Sequence, residues 1–297
     1  MAKDTRGIGT EFAEAFKKSE FYTLYDENKK DLFLGIRNDY INLYYNSASV
    51  CKVKYNKRTK RLNCETHRKY LYGDNAKDVC EKIHKEISEK NIRGKYETIV
   101  ENIEEIYKSD EKKAQQQLIY RNNRNENSKW FCIDIEYVRP GMDEQRKRHG
   151  RFDIIAISKK NPHKVAIIEL KYGASAMGEP SGIRKHAEDF KKFIKNDVYN
   201  KRFKKEIVDI VNSLNELGIT GLRLEENKLE KKPEFYFITL ASNEKVKDAM
   251  RYYALKAGIT GPNSKEFTPR FLFSGNVVDS ITIDDIIESK EYTRGLP

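Results

Sequence analysis

Between residues 21 and 71, apolar and polar positions alternate in short runs broken by turn residues. Runs at 32–36, 40–45, 49–55 and 62–67 read as strands, with Arg37-Asn38-Asp39, Asn46-Ser47 and Asn56-Lys57 between them. Four short strands with short turns predict a meander. The alternation Tyr40-Ile41-Asn42-Leu43-Tyr44 gives it one apolar face that needs a cover. Ahead of it, Phe12 and Phe16 share one side of a short helix over 11–16. Behind it, Val79, Ile83 and Ile87 make a helical stripe over 76–90, with Asp74 as the N-cap and Asn91 to Gly94 as the stop. A new helical register starts at Tyr96. The chain is therefore expected to divide into an N-terminal β-meander and helix domain, 1–94, and a second domain, 95–297.

The second domain alternates strands with helices, the pattern of an α/β layer. Ile99, Ile103, Ile106 and Tyr107 mark one helix; a charged break at 108–113 follows, and helix resumes through Asn123 with Leu118 and Ile119. Residues 130–137 predict a strand with Phe131, Ile133, Ile135 and Tyr137 on one face and Asp134 and Glu136 on a solvated one. Two apolar runs, 152–157 and 165–170, flank Asn161-Pro162 and predict a β-hairpin. A helix opens after Pro180-Ser181-Gly182, with Ile183, Ala187, Phe190 and Ile194 on its apolar side. A second carries Ile207, Ile210, Val211 and Leu214 and stops at Leu217-Gly218. The remainder predicts a strand at 234–240, a helix capped by Ser242 and ending at Gly258, a strand at 270–273 and a short helix at 282–287.

The hairpin is where chemistry enters. Period-two geometry puts Asp153 beside Ile155 and Ile157, and groups Val165, Ile167, Glu169 and Lys171 on one face. Charges set among isoleucines cost several kcal/mol, roughly, unless they are paired or bound to a metal. Asp153, fifteen intervening residues and then Glu169-Leu170-Lys171 resemble the pattern of the PD-(D/E)xK nuclease superfamily. Phe152 replaces the proline of that pattern, which carries none of the chemistry. The resemblance implies a restriction endonuclease-like core, a mixed central sheet flanked by helices, and a metal-dependent nuclease hydrolysing nucleic acid, with DNA the expected substrate. Asp153 and Glu169, with the Leu170 carbonyl, would hold Mg²⁺, or Mn²⁺ as a substitute, and Lys171 would orient the attacking water or counter developing charge. It also implies a third acid or polar group, left open among Glu111, Gln115, Gln116, Gln117 and Glu136. Arg146, Lys147, Arg148 and Arg151, directly before or beside Asp153, together with Lys185 and His186, are expected to contact the nucleic-acid backbone. Two other readings compete. One is a nucleic-acid-binding or assembly protein on the same fold with the site unused. The other is a strand-end ion pair between Glu169 and Lys171, worth about 0–1 kcal/mol on a surface.

Composition changes this picture little. Lys and Arg number 57 against 46 Asp and Glu, a formal +11 that favours a polyanionic partner. Heavy use of lysine, asparagine, isoleucine and tyrosine also suits an AT-rich bacterial or phage genome, which weakens that inference. At 297 residues the chain has length for two cores. It holds no run of eighteen apolar residues and opens without the apolar core of a secretory signal, so a cytoplasmic protein with no membrane partner is expected, and a homo-oligomer is left open. Cys51, Cys64, Cys80 and Cys132 form no CxxC pair and have no zinc-ligand spacing, which opposes a disulfide framework or a zinc site.

Overall fold

The computed structural model describes residues 6–106, 108–138, 151–178, 182–241, 243–258, 269–273 and 282. Arg146, Lys147, Arg148, Ser242 and all but the first residue of the helix expected at 282–287 lie outside them. The architecture is α/β, with two five-stranded sheets and their helices, and the chain forms two compact units: residues 1–112 with 205–225, and residues 113–204 with 226–297. No helix among the described residues is long and apolar enough to cross a membrane.

The first unit begins with helices α1 (Thr10–Lys17) and α2 (Glu20–Glu27), followed by strands β1 (Phe33–Ile36), β2 (Tyr40–Tyr45), β3 (Ala48–Asn56) and β4 (Arg61–His67). Short helices α3 (Arg68–Tyr72) and α4 (Ala76–Val79) lead to strand β5 (His84–Ile87), and helix α5 (Glu89–Ile106) follows. All five strands pair antiparallel in sequence order. The β2–β3 turn is the two residues Asn46 and Ser47, both at positive φ, the twist that a two-residue hairpin needs. Ile41, Leu43, Cys51, Val53 and Cys64 are fully buried on the apolar face.

The structure departs from expectation at several places in this unit. Residues 20–27 are helix, started by Ser19, whose hydroxyl accepts the Tyr22 N–H. The stripe over 76–90 is not one helix: Val79 and Ile83 are each 57% exposed, and only Ile87 is buried, paired with Cys64 across the β4 edge. Ladder hydrogen bonds along an open strand edge outcompete a helix whose apolar side has nothing to bury against. Helix α5 then runs through Gly94, so a division after residue 94 would cut it. The segment 205–225 also returns to this unit: Ser213 Oγ accepts the Ile8 N–H at 3.2 Å, and Lys17 Nζ donates to the Glu216 carbonyl at 2.9 Å.

In the second unit, helix α6 (Asp110–Arg124) enters from the first and leads to strands β6 (Trp130–Val138), β7 (Arg151–Ser158) and β8 (Val165–Tyr172). Helix α7 (Ile183–Lys195) follows, then a π-helical turn at Tyr199–Phe203 and helix α8 (Lys204–Glu216), which carries the chain into the first unit. Strand β9 (Glu234–Leu240), helix α9 (Glu244–Lys256) and strand β10 (Arg270–Phe273) complete the order. The sheet order is β10-β9-β8-β7-β6; β6, β7 and β8 are antiparallel, and β9 and β10 join parallel to β8. Strands β7 and β8 are buried on both faces, as expected for central strands. Helix α7 seats on the sheet through aromatic contacts: Phe190 lies 5.3 Å from Phe152, 4.8 Å from Phe235 and 5.5 Å from Phe237 between ring centroids. Phe193, not the expected Ile194, extends this row.

The alternation predicted for β6 breaks at a bulge. Phe131 lies opposite Ile157 and Cys132 opposite Ala156, but Asp134 lies opposite Ile155, so Ile133 is an extra residue. Phe131 and Asp134 therefore share a face, and neither Asp134 nor Glu136 is solvated, both being buried.

Gly94 in the interior of α5 has open space around the position a Cβ would take. Gly94→Ala is expected to stabilise the first unit by about 0.5–1 kcal/mol, since alanine loses less backbone freedom in a helix. A lower midpoint in urea for this variant would contradict a continuous helix through residue 94.

Candidate active site

The site forms where the β7–β8 ladder ends. The last paired residues are Ile154 and Ile168, and continuing that register would bring Asp153 level with Glu169. Instead Asp153 Oδ2 accepts the Leu170 N–H at 2.8 Å, so a carboxylate takes the place of a strand carbonyl. That hydrogen bond fixes Asp153 against β8. It also ties Leu170, the residue between Glu169 and Lys171, to the same corner.

Glu169 and Lys171 project from one side of β8, two residues apart, and are almost fully buried, at 1% and 4% exposure. Lys171 Nζ donates to Glu169 Oε1 at 2.8 Å, and His186 Nε2 lies 2.9 Å from the same oxygen. The ammonium and the imidazole are 3.5 Å apart. Two groups able to carry positive charge thus crowd one carboxylate oxygen, while Glu169 Oε2 is buried with no hydrogen-bond partner among the described residues. The structure brings together Asp153, Glu169, Lys171 and His186, the last close enough that the charge of Asp153 acts on it.

His186 is placed by the start of α7. Its N–H donates to the Gly182 carbonyl at 3.3 Å, one turn back. A Cβ at Gly182 would overlap the carbonyl oxygens of Met177 and Gly178, so only glycine lets the helix begin this close to the chain leaving β8. Four residues on, the imidazole faces Glu169.

The other candidates are distributed differently. Lys185 is exposed and pairs with Asp189 along the helix at 3.0 Å, away from the four-residue cluster. Arg151 pairs with Glu136, and Glu136 lies opposite Asp153, between the pairs Ile135–Ile154 and Tyr137–Phe152. Glu136 has φ 54, uncommon for a residue with a Cβ inside a strand. Glu111 belongs to the first unit, whereas Gln115 and Gln116 are buried in the second, and Gln116 donates to the Tyr120 hydroxyl. Thr239 carried no signal in the sequence; only the parallel pairing of β8 with β9 places it level with Lys171.

Burial alone would push the Glu169 carboxyl up, but the charges and hydrogen bonds of Lys171 and His186 outweigh it and hold the group below the ordinary value of 4.5. Burial likewise opposes charge on His186, yet Glu169, aided by Asp153, raises it above 6.5 against the opposing charge of Lys171. The raised imidazole contributes stability that is complete below about 6.5 and is lost as pH rises through its folded value; the depressed carboxyl contributes stability present above about 4.5 and lost as pH falls through its own. An NMR titration of the His186 ring is therefore expected to show a midpoint above 6.5 in the metal-free protein and a lower one in Glu169→Gln. An unchanged midpoint in that variant would show that Glu169 does not hold the imidazole. No protein-family model, no curated protein and no solved structure matches the chain, so a role for these side chains rests on their own geometry.

Proposed function

We propose that the second unit is a metal-dependent nuclease of the PD-(D/E)xK type, its mixed sheet serving as a restriction endonuclease-like core and nucleic acid, with DNA foremost, as its substrate. The carrying observation is Glu169: a buried carboxylate with one oxygen engaged by the Lys171 ammonium and the His186 imidazole and the other without a hydrogen bond among the described residues, beside Asp153. A buried oxygen left without a partner is costly, and a bound cation accounts for it. Asp153 and Glu169, with the Leu170 carbonyl, are hard oxygen donors that suit Mg²⁺ or Mn²⁺. Among the described residues no three His, Cys, Asp or Glu side chains group around one metal position, so the proposed ion would complete its shell with the Leu170 carbonyl, water and phosphate oxygens. When bound, such an ion lowers the pKa of a water and offsets charge at the phosphorus.

The chain's own residues would divide the remaining work. Asp153, locked by the Leu170 N–H, and Glu169, held at Oε1, present their oxygens in fixed positions. Lys171, an ammonium with three donors, orients water or counters charge on the phosphate. The formal +11 and the half-exposed Arg151 favour a polyanion near the site.

The test is a cleavage assay on plasmid, linear duplex, single-stranded DNA and RNA, with and without Mg²⁺ or Mn²⁺. Asp153→Ala and Glu169→Ala are each expected to lower the rate by at least about a hundredfold at matched folding. Lys171→Ala should lose turnover while keeping most of its affinity for nucleic acid. Wild-type rates in the Asp153 and Glu169 variants would overturn the proposal, and tight binding without cleavage of any substrate would favour a binding protein.

A further inference from the structure

A second buried oxygen without a hydrogen bond among the described residues lies on the neighbouring strand. Strands β8 and β9 run parallel, with Glu169 level with Phe237 and Lys171 level with Thr239, so Thr239 lies one strand across from Lys171 on the same side of the sheet. Thr239 is fully buried, and its Oγ1 has no hydrogen-bond partner among the described residues. Its neighbour two residues back, Phe237, fills its own surroundings with the rings of Phe190 and Phe271. Packing gives no reason for a hydroxyl at 239, because valine has nearly the same shape and would leave no polar atom unsatisfied. No described residue, Lys171 included, hydrogen-bonds Thr239 Oγ1.

We propose that Thr239 is a further substrate-contacting residue, its hydroxyl donating to a non-bridging oxygen of the phosphodiester that Lys171 faces. This inference rests on reading the site as one that cleaves phosphodiesters. Non-bridging phosphate oxygens are charged acceptors with no proton to give, and a buried O–H that can rotate is a donor needing no counter-charge of its own. Thr239 and Lys171, side by side on parallel strands, would then form a donor pair for one phosphate, with Glu169 Oε2 adjoining it along β8.

Single-turnover cleavage by the full chain tests this with Thr239→Val and Thr239→Ser. The expected result is a loss of at least about tenfold in rate for Thr239→Val, near-wild-type rate for Thr239→Ser, and a thermal midpoint of Thr239→Val at or above wild type, because an unsatisfied hydroxyl has been removed. If Thr239→Val does not melt cooperatively, Thr239→Ala is read in its place by the same rate criterion. Wild-type cleavage matched by Thr239→Val would overturn the role of Thr239 and leave the nuclease reading standing. Equal losses in the valine and serine variants would trace the effect to packing and also overturn it. A wild-type protein that cleaves none of the substrates would remove the nuclease reading, and this inference with it.

Discussion

A carboxylate at the end of a central strand, sealed from water, sets the terms for the second unit. Glu169 is 1% exposed, and an ionised group in such a place must be compensated by the protein. Lys171 supplies compensation from the same strand, and His186 supplies it from the helix that follows. That second partner makes the position of α7 part of the electrostatics. The seat of α7 on Phe152, Phe235 and Phe237, and the bare Gly182 at its start, hold the imidazole in reach.

The compensation is lopsided. An inert network would spread its donors over both oxygens of the carboxylate, because each lone pair left dry costs stability. Here the Lys171 ammonium and the His186 imidazole meet at Oε1, and Oε2 has no hydrogen bond among the described residues. One oxygen of Asp153 is likewise fixed, by a main-chain N–H. It is on these two acids, the ammonium beside them and the oxygen left without a hydrogen bond among the described residues that the proposed function rests.

Much of the strand framework was legible because its signals are local. Turn residues at Asn46-Ser47 and Asn161-Pro162, with period-two patterns on either side, define both hairpins. Asp153, Glu169 and Lys171 stand out for the same reason, as charges set in apolar strands, and the structure buries all three. What failed depends on distant partners. The spacing of Val79, Ile83 and Ile87 is helical, but the free edge of β4 takes residues 84–87 as a strand. Residues 205–225 carry an ordinary amphipathic pattern that does not say which core they join, and contacts such as Ile8 with Ser213 cross most of the chain. The bulge at Ile133 and the left-handed backbone of Glu136 are set by pairing with β7, so simple alternation misplaced Asp134 and Glu136. Thr239 needed the parallel register of β9, which no local pattern contains.

Under the proposed function, Glu169 shares Oε2 with a cation. Calorimetric titration of Mg²⁺ and Mn²⁺ into the full chain and into Glu169→Gln, without nucleic acid, tests it most directly, because the amide keeps the shape of the side chain and removes the charge on which a hard cation depends. Saturable binding by the wild-type protein, lost in the variant, is expected. Absence of binding in the wild type, or equal binding in both, would contradict it.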